Sequence, residues 1–312
     1  MTRIRVGSRG SPLALRQAEI VCRELERRHP GVETGIRVIH TSGDQPRPEP
    51  QFAGLSVKRM FVKEIEDALL QEEIDLAVHS LKDLPSELPP GLCLAAIPER
   101  EDPRDALVSS LATRSPREIR RNGRIGTSSL RRTVQLRLLR PDLEILPLRG
   151  NVGTRIRKME EQRLDGIVLA AAGLKRLGLE DRIAFTFSQD QMLSAIGQGA
   201  LAVECRCGDR QTRELLAAID HPATRTCTDA ERRFLERMGG GCQVPMGAHA
   251  SLTSGGGEFQ ALLASPYRAI SLRHHVHGPE QDLPQMALDA AESILSRGGG
   301  EILRELEERG PV

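Results

Sequence analysis

A chain of 312 residues is long enough for two or three domains. Its 39% hydrophobic and 28% charged content supports real cores and excludes disorder, while a net charge of +1 excludes a generally basic nucleic-acid coat or an acidic tail. No apolar run approaches the ~18 residues of a membrane span, and the start MTRIRVGSRG lacks the apolar stretch of a secretory signal, so a cytoplasmic protein with no membrane or nucleic-acid partner is expected.

In chain order, a strand at residues 4–8 is followed by a turn and a helix at about 12–28. Ser11 is placed to cap that helix and Pro12 suits its first turn. A strand at 35–40 leads into the polar stretch TSGDQPRPEPQFAG. A helix at about 60–71 and apolar strands at 74–79 and 92–97 come next. This is a βαβ pattern with a mostly parallel sheet. The segment PEREDPRD, 98–105, is polar and Pro-containing and reads as a linker. A second alternating unit has strands at 106–109, 124–126, 143–148 and 166–170, with helices at 129–140 and 152–162. The chain turns Gly-rich at 194–199 and re-enters an apolar strand at 201–205. Beyond a helix at 223–238 and the Gly run 239–241 lie strands at 247–252, 258–264 and 269–277. Helices at about 284–296 and 301–309 close an α+β segment with an antiparallel sheet.

With six Phe, Tyr267 and no Trp, a stacking platform for bases or sugars is hard to build. Only five of the 44 basic residues are Lys, at 58, 63, 82, 158 and 175. The bland reading of the Arg excess is compositional drift, yet it also supplies planar, bidentate donors for carboxylate or phosphate. Cys22, Cys93, Cys205, Cys207, Cys227 and Cys242 form no C-x-x-C pair, which argues against a disulfide framework and a zinc ribbon. A reducing compartment fits that usage.

Four strand-to-helix junctions carry Arg, Ser or Thr: GSRGSP, GTSSLRR, LRGNVGTR and AGLKR. Such junctions sit at the carboxyl ends of strands, where free backbone N–H groups and the helix dipole favour anions. Any one of Arg9, Arg131, Arg132, Arg149, Arg155 and Arg176 alone reads as a solvated helix-end side chain. Their recurrence at equivalent points of successive units implies a polyanionic ligand. In HSLKDLP, Asp83 is either a turn residue before Pro85 or a carboxylate that steadies a developing cation or moves a proton. In GGGCQVPMG, Cys242 is either a buried structural thiol or a nucleophile approached closely across glycines. AIGQGAL lacks the third glycine of a dinucleotide fingerprint, and there is no Walker A motif. Of His274, His275 and His277, only His275 and His277 would share a face of a strand, and they read as a surface cluster rather than a metal site.

In order, HSLKDLP, GTSSLRR, LRGNV-x-TR, AGLKRL, AIGQGAL and GGCQVP resemble the porphobilinogen deaminase (hydroxymethylbilane synthase) family, collinearly from about residue 4 to beyond 247. The resemblance implies an α/β fold of two periplasmic-binding-protein-like domains with mixed, mostly parallel sheets, plus a smaller α+β C-terminal domain. The implied division is 1–99 with 197–218, 100–196, and 219–312, the last carrying the cofactor cysteine. It implies head-to-tail condensation of four porphobilinogen molecules, with release of ammonia, into a linear tetrapyrrole. The implied cofactor is a dipyrromethane primer in thioether linkage to Cys242. Asp83 takes the catalytic place. Lys82, Ser129, Arg131 and Arg132 would hold cofactor carboxylates, and Arg9, Ser11, Arg149, Arg155 and Arg176 substrate carboxylates. Where the family shows a Gly-Lys-Gly-type stretch in its active-site loop, this chain has LSVKRMFVKE, so Lys58, Arg59 and Phe61 take that place. The implied partners are porphobilinogen and the growing pyrrole oligomer, with no metal, a monomeric state and hand-off of product to uroporphyrinogen-III synthase. A non-catalytic anion- or solute-binding module of the same fold is the alternative, and a chain that has lost catalysis a third. RHHVHGP has no place in the resemblance.

Overall fold

The computed structural model describes residues 2–41, 56–239, 244–268 and 270–309, without the side chains of 56–61. Along the chain run β1 (Thr2–Ser8), α1 (Pro12–Arg28), β2 (Val32–Val38), α2 (Ser56–Leu70), β3 (Leu76–Ser80) and β4 (Leu92–Ala96). Then come β5 (Asp105–Val108), β6 (Arg124–Gly126), α3 (Leu130–Leu139), β7 (Glu144–Leu146), α4 (Val152–Glu161), β8 (Gly166–Ala170), α5 (Ala171–Arg176) and β9 (Ile183–Thr186). The remainder is β10 (Leu201–Arg206), α6 (Arg210–Ala217), α7 (Pro222–Arg237), β11 (Met246–Thr253), β12 (Gly256–Ala264), β13 (Ser271–Gly278), α8 (Leu283–Ile294) and α9 (Gly300–Arg309).

Contacts divide the chain into two compact units, Met1–Glu101 with Ala200–Arg225, and Asp102–Gly199 with Thr226–Val312. The first holds a sheet of order β2-β1-β3-β10-β4. Strand β1 runs parallel to β2 and β3, whereas β10 is antiparallel to both its neighbours. Strand β3 opens with the apolar Leu76, Ala77 and Val78 and is buried through His79, as a central strand covered on both faces must be. Helix α1 starts where the sequence places it: Ser11 Oγ accepts from Ala14 N–H at 3.3 Å and Pro12 opens the first turn. Its buried Gln17, Ala18, Val21, Cys22 and Leu25 recur at helical spacing, so one face meets the sheet. Arg27 and Arg28 finish it beside the negative end of the dipole.

The second unit repeats the plan with order β7-β6-β8-β5-β9. Strands β6, β7 and β8 are parallel, and β5 is antiparallel to β8 and β9. The same unit contains the antiparallel sheet β11-β12-β13, whose core of Phe234, Phe259, Leu263, Leu283 and Ile294 is shared with α7 and α8.

One expectation needs amending, and two elements went unread. The linker at 98–105 ends one residue too late, because Asp105 opens β5 and is fully buried. Strand β9 went unread because IAFT is only four residues and half-buried throughout. Helix α6 went unread because RQTRELLA buries only Thr212 and Leu216.

Candidate active site

In the first unit, the predicted residues stand at the carboxyl ends of adjacent strands β1 and β3. The 3-10 turn Leu81–Asp83 follows β3 directly. Leu81 and Leu84 are buried in a cluster with Val62, Ile97, Ala200 and Ala202. Leu84 N–H donates to Leu81 O at 3.1 Å, and Leu81 N–H to Ala200 O at 3.0 Å. The two leucines anchor the turn, which leaves Lys82 half-buried and Asp83 exposed. Beneath it, His79 Nε2 lies 3.2 Å from Glu204 Oε2, both side chains buried. Gln17 Nε2 donates to Ser80 Oγ at 2.9 Å, fixing α1 against the end of β3. Arg9 and Ser11 lie at the β1–α1 junction, where Ser11 doubles as the helix cap.

In the second unit, Ser129, Arg131 and Arg132 lie after β6, Arg149 and Arg155 after β7, and Arg176 after β8. The three strands are neighbours and parallel, so the segments that carry these six residues all start from one end of the sheet. Ser128 Oγ accepts from Leu148 N–H at 2.9 Å and ties GTSSLRR to LRGNVGTR. Ser129 caps α3, and Asn151 caps α4 through Thr154 N–H at 2.8 Å. Arg155 Nε donates to Gly150 O at 2.7 Å across a turn that needs glycine, with φ +124° at Gly150. Arg176 Nη2 donates to Gly199 O at 2.6 Å.

Arg131 and Arg132 are not solvated. Both are buried around Asp105, which is itself fully buried. Arg131 Nη1 donates to Asp105 Oδ2 and to Leu193 O, each at 2.7 Å. Arg132 Nε donates to Asp105 Oδ1 at 2.9 Å and its Nη1 to Val168 O at 2.9 Å. Gln198 Nε2 completes the centre, donating to Asp105 Oδ1 at 3.0 Å and Pro103 O at 2.8 Å. Burial alone would raise the Asp105 carboxyl, but Arg131 and Arg132 hold it well below the usual carboxylate range. Burial also pushes the Arg132 guanidinium down, with Asp105 opposing that shift. Among the described residues, Nε and Nη2 of Arg131 take no partner, whereas Arg132 is engaged at Nε, Nη1 and Nη2.

Sequence reasoning missed Asp105, Gln198 and Glu231. Fully buried Glu231 accepts from Gly197 N–H at 2.7 Å and Ala250 N–H at 2.9 Å, joining AIGQG to β11. The motif AIGQGAL thus works through Gln198 and Gly197 as a structural clasp. Its glycines carry φ of +70° and +90° at Gly197 and Gly199. The only advance signal for Asp105 was an acid flush against the apolar ALV. Cys242 lies outside the described residues, and so do the side chains of Lys58, Arg59 and Phe61 at the start of α2.

Each unit thus carries cationic and hydroxyl donors at the carboxyl ends of its mixed, mostly parallel α/β sheet, which defines an α/β protein with donors suited to carboxylates. Residues 4–214 match the family described as "Porphobilinogen deaminase, dipyromethane cofactor binding domain", and residues 225–296 "Porphobilinogen deaminase, C-terminal domain". Among curated relatives, the porphobilinogen deaminase of Geobacter sulfurreducens is 46% identical over 309 residues, covering 99% of this chain and 96% of that protein. That of Syntrophotalea carbinolica is 50% identical over 304 residues, 97% and 96% of the two chains. Among solved structures, a TRAP periplasmic solute binding protein from Desulfovibrio salexigens aligns with TM-score 0.42 at 11% identity, over 98% of this chain and 95% of that one. The chain belongs to the porphobilinogen deaminase family. It is accordingly a transferase of tetrapyrrole synthesis that works with a dipyrromethane cofactor, and the binding-module alternative is without support.

Proposed function

We propose that this chain joins four porphobilinogen molecules head to tail into hydroxymethylbilane, with Asp83 at the reacting pyrrole and Cys242 carrying the primer. In each addition the aminomethyl C–N bond breaks and ammonia leaves. The freed methylene carbon bonds to the α-carbon of the preceding ring, which loses a proton, and after the fourth addition water cleaves the bond joining the tetrapyrrole to the ring before it and supplies the product's hydroxyl. The observation that carries the assignment of roles is the set of Arg and Ser donors at the ends of β6, β7 and β8, in a chain of this family.

The donor set fits a dipyrromethane, whose rings each carry an acetate and a propionate. When bound, the group supplies the free pyrrole α-carbon to which the first substrate is joined. Lys82, Ser129 and the Nε and Nη2 of Arg131 are suited to its carboxylates. Arg132 acts one step back, holding Asp105 and through it the pose of Arg131. Arg9, Ser11, Arg149, Arg155 and Arg176 serve the carboxylates of substrate and growing chain. Asp83, exposed on its anchored turn, offers a fixed negative charge to the cationic pyrrole formed as ammonia leaves and receives or returns its proton. Lys58, Arg59 and Phe61 stand for the active-site loop. The proposal includes the three-part division at 1–99 with 197–218, 100–196 and 219–312, a monomer in the cytoplasm, and hand-off of product to uroporphyrinogen-III synthase.

The intact mass of protein made in a porphobilinogen-producing host tests the reading. It should exceed the sequence mass by one dipyrromethane, and Cys242→Ser should abolish the excess, since a hydroxyl is too weak a nucleophile to capture the electrophile. Unmodified wild-type protein would reject the assignment.

Elongation separates the remaining arginines. Arg149→Leu and Arg155→Leu should keep the cofactor mass but accumulate species with one to three added pyrroles, because a charge-assisted contact worth about 1.5–3 kcal/mol is lost at each addition. Arg131→Leu should accumulate cofactor-free protein. Normal loading of Arg131→Leu would move the carboxylate clamp elsewhere.

A further inference from the structure

The histidines that the family resemblance leaves unplaced acquire a third neighbour in the fold. Strand β13 is an edge of the antiparallel sheet, paired only with β12 among the described strands. His275 and His277 are two residues apart and share a face, with ring centroids 4.5 Å apart. His274 points the other way, with Leu272 and Val276, toward the core under α8. The register sets Glu258 of β12 opposite His277 and Gln260 opposite His275. Glu258 Oε1 lies 2.7 Å from His275 Nε2, and one ligating atom from each of Glu258, His275 and His277 lies within 4.8 Å of the other two.

We propose that Glu258, His275 and His277 form a binding site for a borderline divalent transition-metal ion of the Zn2+ type, with solvent completing the coordination. Two imidazoles and a carboxylate are the ligand types that suit Zn2+, and three protein ligands plus water give its ordinary tetrahedron. Metal–ligand bonds of about 2.0–2.2 Å at tetrahedral angles place ligand atoms roughly 3.3–3.6 Å apart. The present separations, from 2.7 Å to within 4.8 Å, bracket that value, so small rotations of exposed rings suffice. The ion replaces the hydrogen linking His275 Nε2 to Glu258, and a neutral ring then carries its proton on Nδ1. Gln260 Nε2 donates to Glu258 Oε1 at 2.7 Å and orients the carboxylate from behind, as partners of metal ligands do. Bound there, the ion ties the edge strand to its neighbour.

Full-length protein without an affinity tag, titrated with Zn2+ by calorimetry and by melting temperature, tests this. One saturable site in the micromolar range and a rise in melting temperature are expected. His275→Gln and His277→Gln should each weaken binding at least about tenfold, a loss already typical for removing a group that merely orients a ligand. Both should melt like wild type without Zn2+, because the two rings are exposed. Cys207→Ser, which removes the thiol that is exposed among the described residues, should bind like wild type. No saturable micromolar binding, wild-type affinity in both histidine variants, or loss of binding in Cys207→Ser would each overturn the proposal.

Discussion

Asp83→Asn is expected to leave a folded, cofactor-loaded protein that adds porphobilinogen about 10²–10³ times more slowly. The substitution keeps size and most hydrogen-bonding capacity and removes the charge. The structure separates a chemical role from a merely turn-forming one. The turn before Pro85 is held by burial of Leu81 and Leu84 and by their backbone hydrogen bonds, none of which uses the Asp83 carboxylate. Stability should therefore move by no more than about 0.5 kcal/mol, the range of an exposed substitution. Asp83→Glu keeps the charge but displaces it by a methylene, so it should retain more activity than Asn. Single-turnover addition to loaded protein measures the rate, and urea unfolding measures the stability. An Asn variant turning over near the wild-type rate would remove Asp83 from the mechanism.

Asp105→Ala should be the most destabilising single change in the second unit. It strands two buried guanidinium groups, and breaking a buried ion pair by removing one partner costs about 3–5 kcal/mol. Whole-protein stabilities of about 5–15 kcal/mol make that a large fraction. Hydrogen exchange resolved over residues 102–199 is the suitable measurement, since two units need not unfold together. Protection there should fall while 2–41 stays close to wild type. Unchanged protection would mean that the charges roughly cancel their own desolvation. The same centre has a pH signature. The folded Asp105 carboxyl lies below its ordinary value, so its contribution is complete above about pH 4 and fades as acid brings the pH toward the folded value.

What the sequence discloses is what depends on near neighbours. Helix α1 begins at Pro12 because Ser11 and Pro12 are adjacent cap and first-turn residues, and β6 and β8 have their expected bounds. The junction arginines were visible because each follows a strand. The partner of Arg131 and Arg132 was not, since Asp105 is 26 and 27 residues away and follows the polar PEREDPR. Gln198 reaches Asp105 across 93 residues, a pairing no local pattern encodes. Glu258 and His275 are joined by sheet register, 17 residues apart, which explains why the histidines looked like an isolated surface group.

The reversed strand in each five-stranded sheet makes the two units unequal during synthesis. In the second unit, β5 precedes β6 to β9, so its sheet can close from one continuous stretch, Asp105–Thr186. In the first, β4 has no place beside β3 until β10 arrives between them, more than a hundred residues later than β4 itself. Long-range pairing of that kind carries a loop-closure cost before any contact rewards it. On the ribosome the nascent first unit therefore waits with β4 and one edge of β3 unpaired while the second unit's strands are completed. A chain stopped at residue 101 should stay open at β4, prone to aggregate along its unmet strand edges.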